Sequence, residues 1–260
     1  MLKSLLISLA LATTLISCTK KSETPSTDTS ASGITELIVG TDAAYAPFEV
    51  ENPDKTIHGF DIDIINAVAA KAGFIVKIVN TPWEGLFNQL ASGDRDILIS
   101  AITISDERKK VMAFSEPYFE AVQLIALPAK SKVTTFEGLK KLKVGVQIGT
   151  TGDEVVSRLL GKSNANIKRF EGTPLALQEL SNGGVDAVVA DNGVVRNFLA
   201  NNTGTFKTLS DTSFSKEYYG IAVKHGRDEL LKKINEALAA IKADGTYDTI
   251  YKKYFGEAAL

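Results

Sequence analysis

From Glu36 onward, short apolar runs alternate with segments whose apolar positions recur every three to four residues. Glu36–Thr41 (ELIVGT) reads as a buried strand. Asp61–Ala72 carries Ile64, Ile65, Val68 and Ala72 on one helical face, and Gly73 stops it. Phe74–Val79 is a strand, Trp83–Ser92 a short helix stopped by Gly93, and Asp96–Ser100 a strand. Ser105 can cap a helical turn through Arg108, and the apolar run Val122–Leu127 leads into Pro128. The pattern then restarts. Thr135 caps a turn at Phe136–Lys140, and Lys143–Gln147 is a strand. Gly149-Thr150-Thr151-Gly152 opens a helix ending at Gly161, and Asn166–Phe170 is a strand. Thr173-Pro174 reads as a cap followed by an N1 proline for a helix through Leu180. Asp186–Ala190 is a strand, Asn192–Ala200 a helix and Tyr219–Val223 a strand. Glu229–Ala243 is an amphipathic helix, and Thr246 caps a last helix to Phe255. Strand–helix alternation run through twice predicts two parallel α/β lobes.

The N-terminus breaks this pattern. Residues 1–17 carry one early charge, Lys3, and then a short apolar stretch, the form of an export signal rather than a membrane span. Leu15-Ile16-Ser17-Cys18 resembles a bacterial lipobox, in which the cysteine is lipidated and becomes the mature N-terminus. Residues 18–33 are then the lipidated cysteine and a polar, flexible tether. The expected location is extracytoplasmic, with the body anchored to a membrane, in the periplasm or on the outer cell surface.

Composition narrows the chemistry. The chain has 260 residues, 44% of them hydrophobic and 23% charged, which suits a globular body with a sizeable core. A net charge of −2 lacks the basic excess of a nucleic-acid binder. Two histidines, His58 and His225, and one cysteine supply few soft metal ligands and no intrachain disulfide. No cofactor is called for, and the chain is expected to act as a monomer.

In sheets of parallel strands, ligands bind beyond the carboxyl ends of the strands. Those ends hold Asp42 and Tyr45, then Trp83, then Ser100, Ala101 and Thr103 with Arg108 just inside a helix. In the second half they hold Gln147, Thr150 and Thr151 at a helix start, and Asp191. Each has a plain structural reading: Asp191 as a helix cap, Asp42 as a turn residue, Tyr45 and Trp83 as core aromatics, Arg108 as a solvated charge. An arginine in a first helical turn, however, opposes the helix dipole unless an anion shares the site. The Gly149–Gly152 amides form a second anion-receptive place. Together the residues suit a zwitterion. A guanidinium and free amides take a carboxylate, a buried acid with hydroxyl or carbonyl acceptors takes an ammonium, and two aromatics clamp a side chain.

These residues also stand inside eight ordered motifs, from Gly40-Thr-Asp-Ala-Ala-Tyr-Ala-Pro-Phe-Glu49 through Gly59-Phe-Asp-Ile-Asp63, Trp83-Glu-Gly-Leu86 and Ile102-Thr-Ile-Ser-Asp-Glu-Arg108. Phe114-Ser-Glu-Pro-Tyr118, Gly145-Val-Gln-Ile-Gly-Thr-Thr-Gly152, Asp186-Ala-Val-Val-Ala-Asp191 and Asp244-Gly-Thr-Tyr247 complete the set. Over Glu36–Gly256 the chain resembles the polar amino-acid-binding proteins of ABC importers. The resemblance implies a type II periplasmic-binding fold: lobe 1 at 34–120 and 216–260, lobe 2 at 121–215, and crossings near 119–123 and 213–218. It implies that Arg108, Thr103 and the Thr151 amide hold an α-carboxylate, and that Asp191 with the Ser100 or Ala101 backbone holds an α-ammonium. Tyr45 and Trp83 would sandwich the side chain and Asp42 would meet its tip. The implied partners are a free L-amino acid and a membrane permease. Asp42 beyond two aromatic faces suggests a basic side chain, that of arginine, lysine or histidine, with glutamine as the alternative; Trp83, Gln147 and Ala190 depart from relatives' residues and blur that choice. A dehydratase on the same fold is the rival, with Glu84 as its candidate acid.

Overall fold

A computed structural model of the chain describes residues 35–256, which belong to one compact unit. The expected export signal, Cys18 and the expected tether lie outside the described residues. Among those described, no helix is long and apolar enough to cross a membrane.

Two five-stranded sheets form the frame. The first runs Ile75–Asn80, Glu36–Thr41, Ile97–Leu98, Ala222–Val223, Ala113–Phe114. The second runs Ile167–Phe170, Val144–Gln147, Ala187–Asp191, Gln123–Pro128, Phe206–Leu209. In each, the first three strands are parallel and the fourth runs against its neighbours. Both sheets are therefore mixed rather than purely parallel. The reversed strand is in both cases the one that follows a crossing. The crossings themselves, Phe119–Ala121 and Glu217–Tyr219, pair antiparallel as a two-stranded hinge. Each sheet with its helices makes one lobe.

The helices follow the apolar spacing. Phe60–Ala72 buries Phe60, Ile64, Ile65 and Val68, and ends at Gly73 in the left-handed conformation that glycine adopts without a Cβ penalty. The C-terminal helices Asp228–Ala243 and Thr246–Phe255 return to the first lobe and pack on Phe60–Ala72. An aromatic cluster of Phe48, Phe60, Phe119, Tyr219 and Phe255 fills the junction at the hinge.

Three local expectations are corrected. Tyr219–Val223 is not one strand: it splits at Gly220, where the Ile104 side chain takes up the space, 2.8 Å from where a Cβ would stand. Gly172, not Thr173, is the cap of the helix Thr173–Asn182, because the Thr173 hydroxyl donates to Gln147 instead. Gly245 rather than Thr246 caps the last helix. A small sheet of Ala44–Tyr45, Glu49–Glu51 and Ile57–His58 also appears, in strands too short to show a period.

Candidate functional site

On the first lobe, the segment after Ile97–Leu98 is shaped from below. Ala101 lies at φ 47°, a left-handed conformation that costs a non-glycine residue about 1–3 kcal/mol. Its N–H donates to Asp61 Oδ2 at 2.7 Å, and the Tyr118 hydroxyl donates to the same oxygen at 2.7 Å. Ser100 Oγ accepts from the Asp42 N–H at 2.9 Å and donates to Glu49 Oε1 at 2.9 Å. Thr103 faces Tyr219 in an isolated bridge whose hydrogen bonds are made by its neighbours, Ile104 N–H to Tyr218 and Gly220 N–H to Ile102. The Thr103 N–H and C=O thus point away from the hinge strand. Arg108 Nη1 donates to that carbonyl at 3.0 Å. Ser105 caps Arg108's short helix by accepting from the Arg108 N–H, and the guanidinium lies 5.2 Å from the Trp83 ring centroid and 5.4 Å from that of Phe87.

On the second lobe, Gly149 turns the chain at φ 71° after Val144–Gln147. Its N–H is given to Asp153, so the anion-receptive amides are reduced to those of Thr150, Thr151 and Gly152 at the helix start. The Thr150 hydroxyl is spent on capping, accepting from Asp153 N–H and donating to Gln147 C=O. Gln147 accepts from Thr173 and donates to Asp42 Oδ2 at 3.2 Å, reaching across the cleft. Asp191 stands at the start of the helix Asn192–Asn201, yet its side chain makes no capping bond. Its carboxylate instead accepts from Tyr45 at 2.8 Å, from Tyr219 and from Gln123.

Asp42, Tyr45, Trp83, Ser100, Ala101, Thr103, Arg108, Gln147, Thr150, Thr151 and Asp191, together with Glu49, line one cavity. Four residues outside the expected set belong to its hydrogen-bond network, Glu49 in the lining and Gln123, Glu217 and Tyr219 behind it. Glu49 is fully buried. Gln123 and Glu217 sit on or beside the crossings, and Tyr219 on the hinge. Glu217 Oε2 accepts from Thr103 at 2.7 Å and from Thr151 at 2.8 Å, so one hinge carboxylate touches both lobes. The signal for Gln123 and Glu217 was a polar residue within each expected crossing. Their partners, up to 114 positions away, carry no local signature. Glu84 is exposed and does not line the cavity.

Burial dominates the electrostatics. It raises the Asp191 carboxyl to about 6, with help from the Glu217 charge and against the three donors. It raises Asp42 and lowers Arg108, the latter opposed by Glu154, Asp191 and Glu217. Glu49 and Asp61 are both pushed up by burial, and Glu49 also by the Asp61 charge. Glu49 Oε2 and Asp61 Oδ1 have no other partner among the described residues, and a proton on Glu49 donated to Asp61 satisfies both. Among the described residues no His, Cys, Asp or Glu cluster is disposed to hold a metal ion.

The sequence model of the bacterial extracellular solute-binding proteins, family 3, matches residues 37–257. The chain belongs to that family. Among its family 3 relatives, a probable histidine-binding protein of Neisseria gonorrhoeae is 45% identical over 223 residues, spanning 84% of this chain and 82% of the relative. The structure is similar to that of ArtJ, the arginine-, lysine-, histidine-binding protein of Geobacillus stearothermophilus. The TM-score is 0.83 at 42% identity, over 86% of this chain and 97% of that one. It is also similar to an ancestral arginine-binding protein bound to arginine, with a TM-score of 0.80 at 43% identity, over 85% and 98% of the two chains. The mixed two-sheet architecture is the family's.

Proposed function

We propose that this family 3 protein is the amino-acid-binding receptor of an ABC importer and captures a basic L-amino acid between its lobes. The observation that carries the reading is that Arg108 and Asp191, on opposite lobes, line the same cavity. The α-carboxylate is taken by the Arg108 guanidinium and the outward N–H groups of Thr103 and Thr151. The α-ammonium is taken by Asp191 and by acceptor oxygens of the Ser100–Thr103 segment. The side chain runs past Tyr45 and Trp83 toward Asp42. Since the two charges of the ligand are matched on different lobes, ligand favours the closed arrangement.

The basic preference rests on charge. Asp42 and Asp191 line the cavity against one guanidinium, and Glu217 stands just behind it. A ligand with net charge +1 relieves that excess; glutamine does not. The histidine- and arginine-binding relatives support the same choice. Binding rather than dehydration is the reading because Glu84, the acid the enzyme would use, faces solvent.

Capture serves a membrane permease, with Cys18 lipidated, the 18–33 tether leading to the body, and a monomer in the periplasm or on the outer cell surface. A thermal-shift screen of the common amino acids tests the core of this. At a hundredfold excess over Kd, a true ligand adds about 2.7 kcal/mol. A screen in which no amino acid shifts the transition overturns the proposal. One in which only neutral amino acids do so overturns the basic preference. Mass spectrometry of the membrane fraction tests the diacylglyceryl adduct on Cys18.

A further inference from the structure

We infer that Glu217 is a positioning residue that fixes the two cleft threonines as hydrogen-bond acceptors and so makes an α-ammonium a requirement for binding. The inference rests on the amino-acid-binding reading above and adds to it a residue outside the cavity lining.

The argument is a count of hydrogens. A threonine hydroxyl has one hydrogen and two lone pairs. The Gln123 amide nitrogen donates only, and it lies 3.1 Å from Thr151 Oγ1, 3.0 Å from Glu217 Oε1 and within reach of Asp191 Oδ1. Turning that amide over would set its oxygen against two carboxylates, so the network assigns its orientation. That nitrogen carries two hydrogens for three acceptors, so it does not by itself settle Thr151; Glu217 does, since the hydrogen between Thr151 and Glu217 Oε2, 2.8 Å apart, can only be the threonine's own. The same oxygen takes the hydrogen of Thr103 at 2.7 Å. An ionised carboxylate offers no hydrogen in return.

Both hydroxyl hydrogens are thus committed to the hinge, and what remains to face the ligand is lone pairs. Beside them stands Asp191, an acceptor already filled on three sides by neutral donors. This part of the cleft is an acceptor surface. An ammonium satisfies it, whereas a ligand with hydrogen in that place leaves buried acceptors unpaired. Such a mismatch separates ligands far more sharply than a missing methylene does. Glu217 is the residue that writes this polarity, because its carboxylate only accepts; a glutamine there must turn its –NH2 either to the two threonines, which reverses them, or to the Gln123 amide nitrogen, which sets donor against donor.

The test measures affinities of wild type and Glu217→Gln for two pairs of ligands. These are L-arginine against 5-guanidinopentanoate, and L-glutamine against 4-carbamoylbutanoate, each acid lacking only the α-ammonium. The expected result is that Glu217→Gln narrows the preference for the amino acid over its analogue by about tenfold or more, chiefly by weakening the amino acid. Thr103→Val, which removes a hydroxyl and no charge, should narrow the ratio as well. It keeps the test alive if Glu217→Gln does not fold. Equal losses for both members of a pair, or an unchanged ratio, overturn the inference while leaving amino-acid binding intact. Wild type that binds no amino acid overturns the proposed function and takes this inference with it.

Discussion

The Tyr45 phenol of the first lobe donates a 2.8 Å hydrogen bond to Asp191 Oδ2, 146 positions away at the end of a second-lobe strand. Tyr219 and Gln123 donate to the same carboxylate. All three donors are neutral. They orient the acid and leave its charge unbalanced, which prepares it for a cation. With its pKa raised to about 6, Asp191 gains a proton as pH drops through that value. Affinity for L-arginine should be flat above about pH 7 and fall about tenfold per unit well below 6. The folding contribution has the opposite sign. A raised carboxyl pKa stabilises the ligand-free fold below the ordinary value of 3.8, and that contribution is lost as pH rises through about 6. Calorimetric titration between pH 5 and 8 checks the binding limb; a constant Kd contradicts it.

Arg108→Ala and Asp191→Ala should each cost about 2–5 kcal/mol of binding, because either change leaves one ligand charge buried without its partner. Arg108→Lys should not restore affinity. An ammonium cannot reproduce the guanidinium's contacts over the Trp83 and Phe87 rings together with the fork that also reaches the Thr103 carbonyl. Losses under tenfold in both alanine variants would remove the assignment.

Asp42→Asn should weaken arginine more than glutamine. The asparagine can still accept from Gln147, whose amide now sits 3.2 Å from Asp42 Oδ2, so the contact across the cleft survives and only the charge is lost. Equal losses for the two ligands would count against a cationic side chain at this end.

The Glu49–Asp61 pair should make the ligand-free protein less stable as pH rises from the ordinary carboxylate range toward neutrality. Both acids are fully buried, and their titratable surroundings are Asp42, Tyr118 and Tyr45, with Tyr247 near Asp61; none supplies a positive charge. With pKa values raised in the fold, and Asp61 at about 7, the stabilisation is complete below about 4 and is lost on approach to 7. Glu49→Gln keeps a donor toward Asp61 and holds no shared proton. Its melting temperature should vary less over that interval than that of wild type. Identical pH profiles would show that the pair does not share a proton.

Much of the site was legible because it lies where the chain leaves its strands. Asp42 follows Glu36–Thr41, Ser100 to Thr103 follow Ile97–Leu98, and Asp191 closes Ala187–Asp191. What escaped was of two kinds. The strand pairing around Tyr45 uses two or three residues at a time, too few for alternation to register, so the phenol read as a flat ring rather than a donor. Glu217 and Gln123 take their meaning from partners brought together only when both crossings pair, and no spacing along the chain encodes that meeting. The reversed strand in each sheet was hidden for the same reason. Its direction follows from the hinge it leaves, not from its own residues.

The reversed strand of the first sheet, Ala222–Val223, comes from the far end of the chain, whereas every strand of the second sheet lies between Gln123 and Leu209. As the polypeptide emerges, the middle can therefore complete its own architecture while the beginning waits, with a gap between Ile97–Leu98 and Ala113–Phe114 that only the tail can fill. Expressed separately, a fragment of residues 121–215 should show cooperative unfolding by circular dichroism, and one of residues 34–120 should not. The protein's first-made half is thus the last to mature.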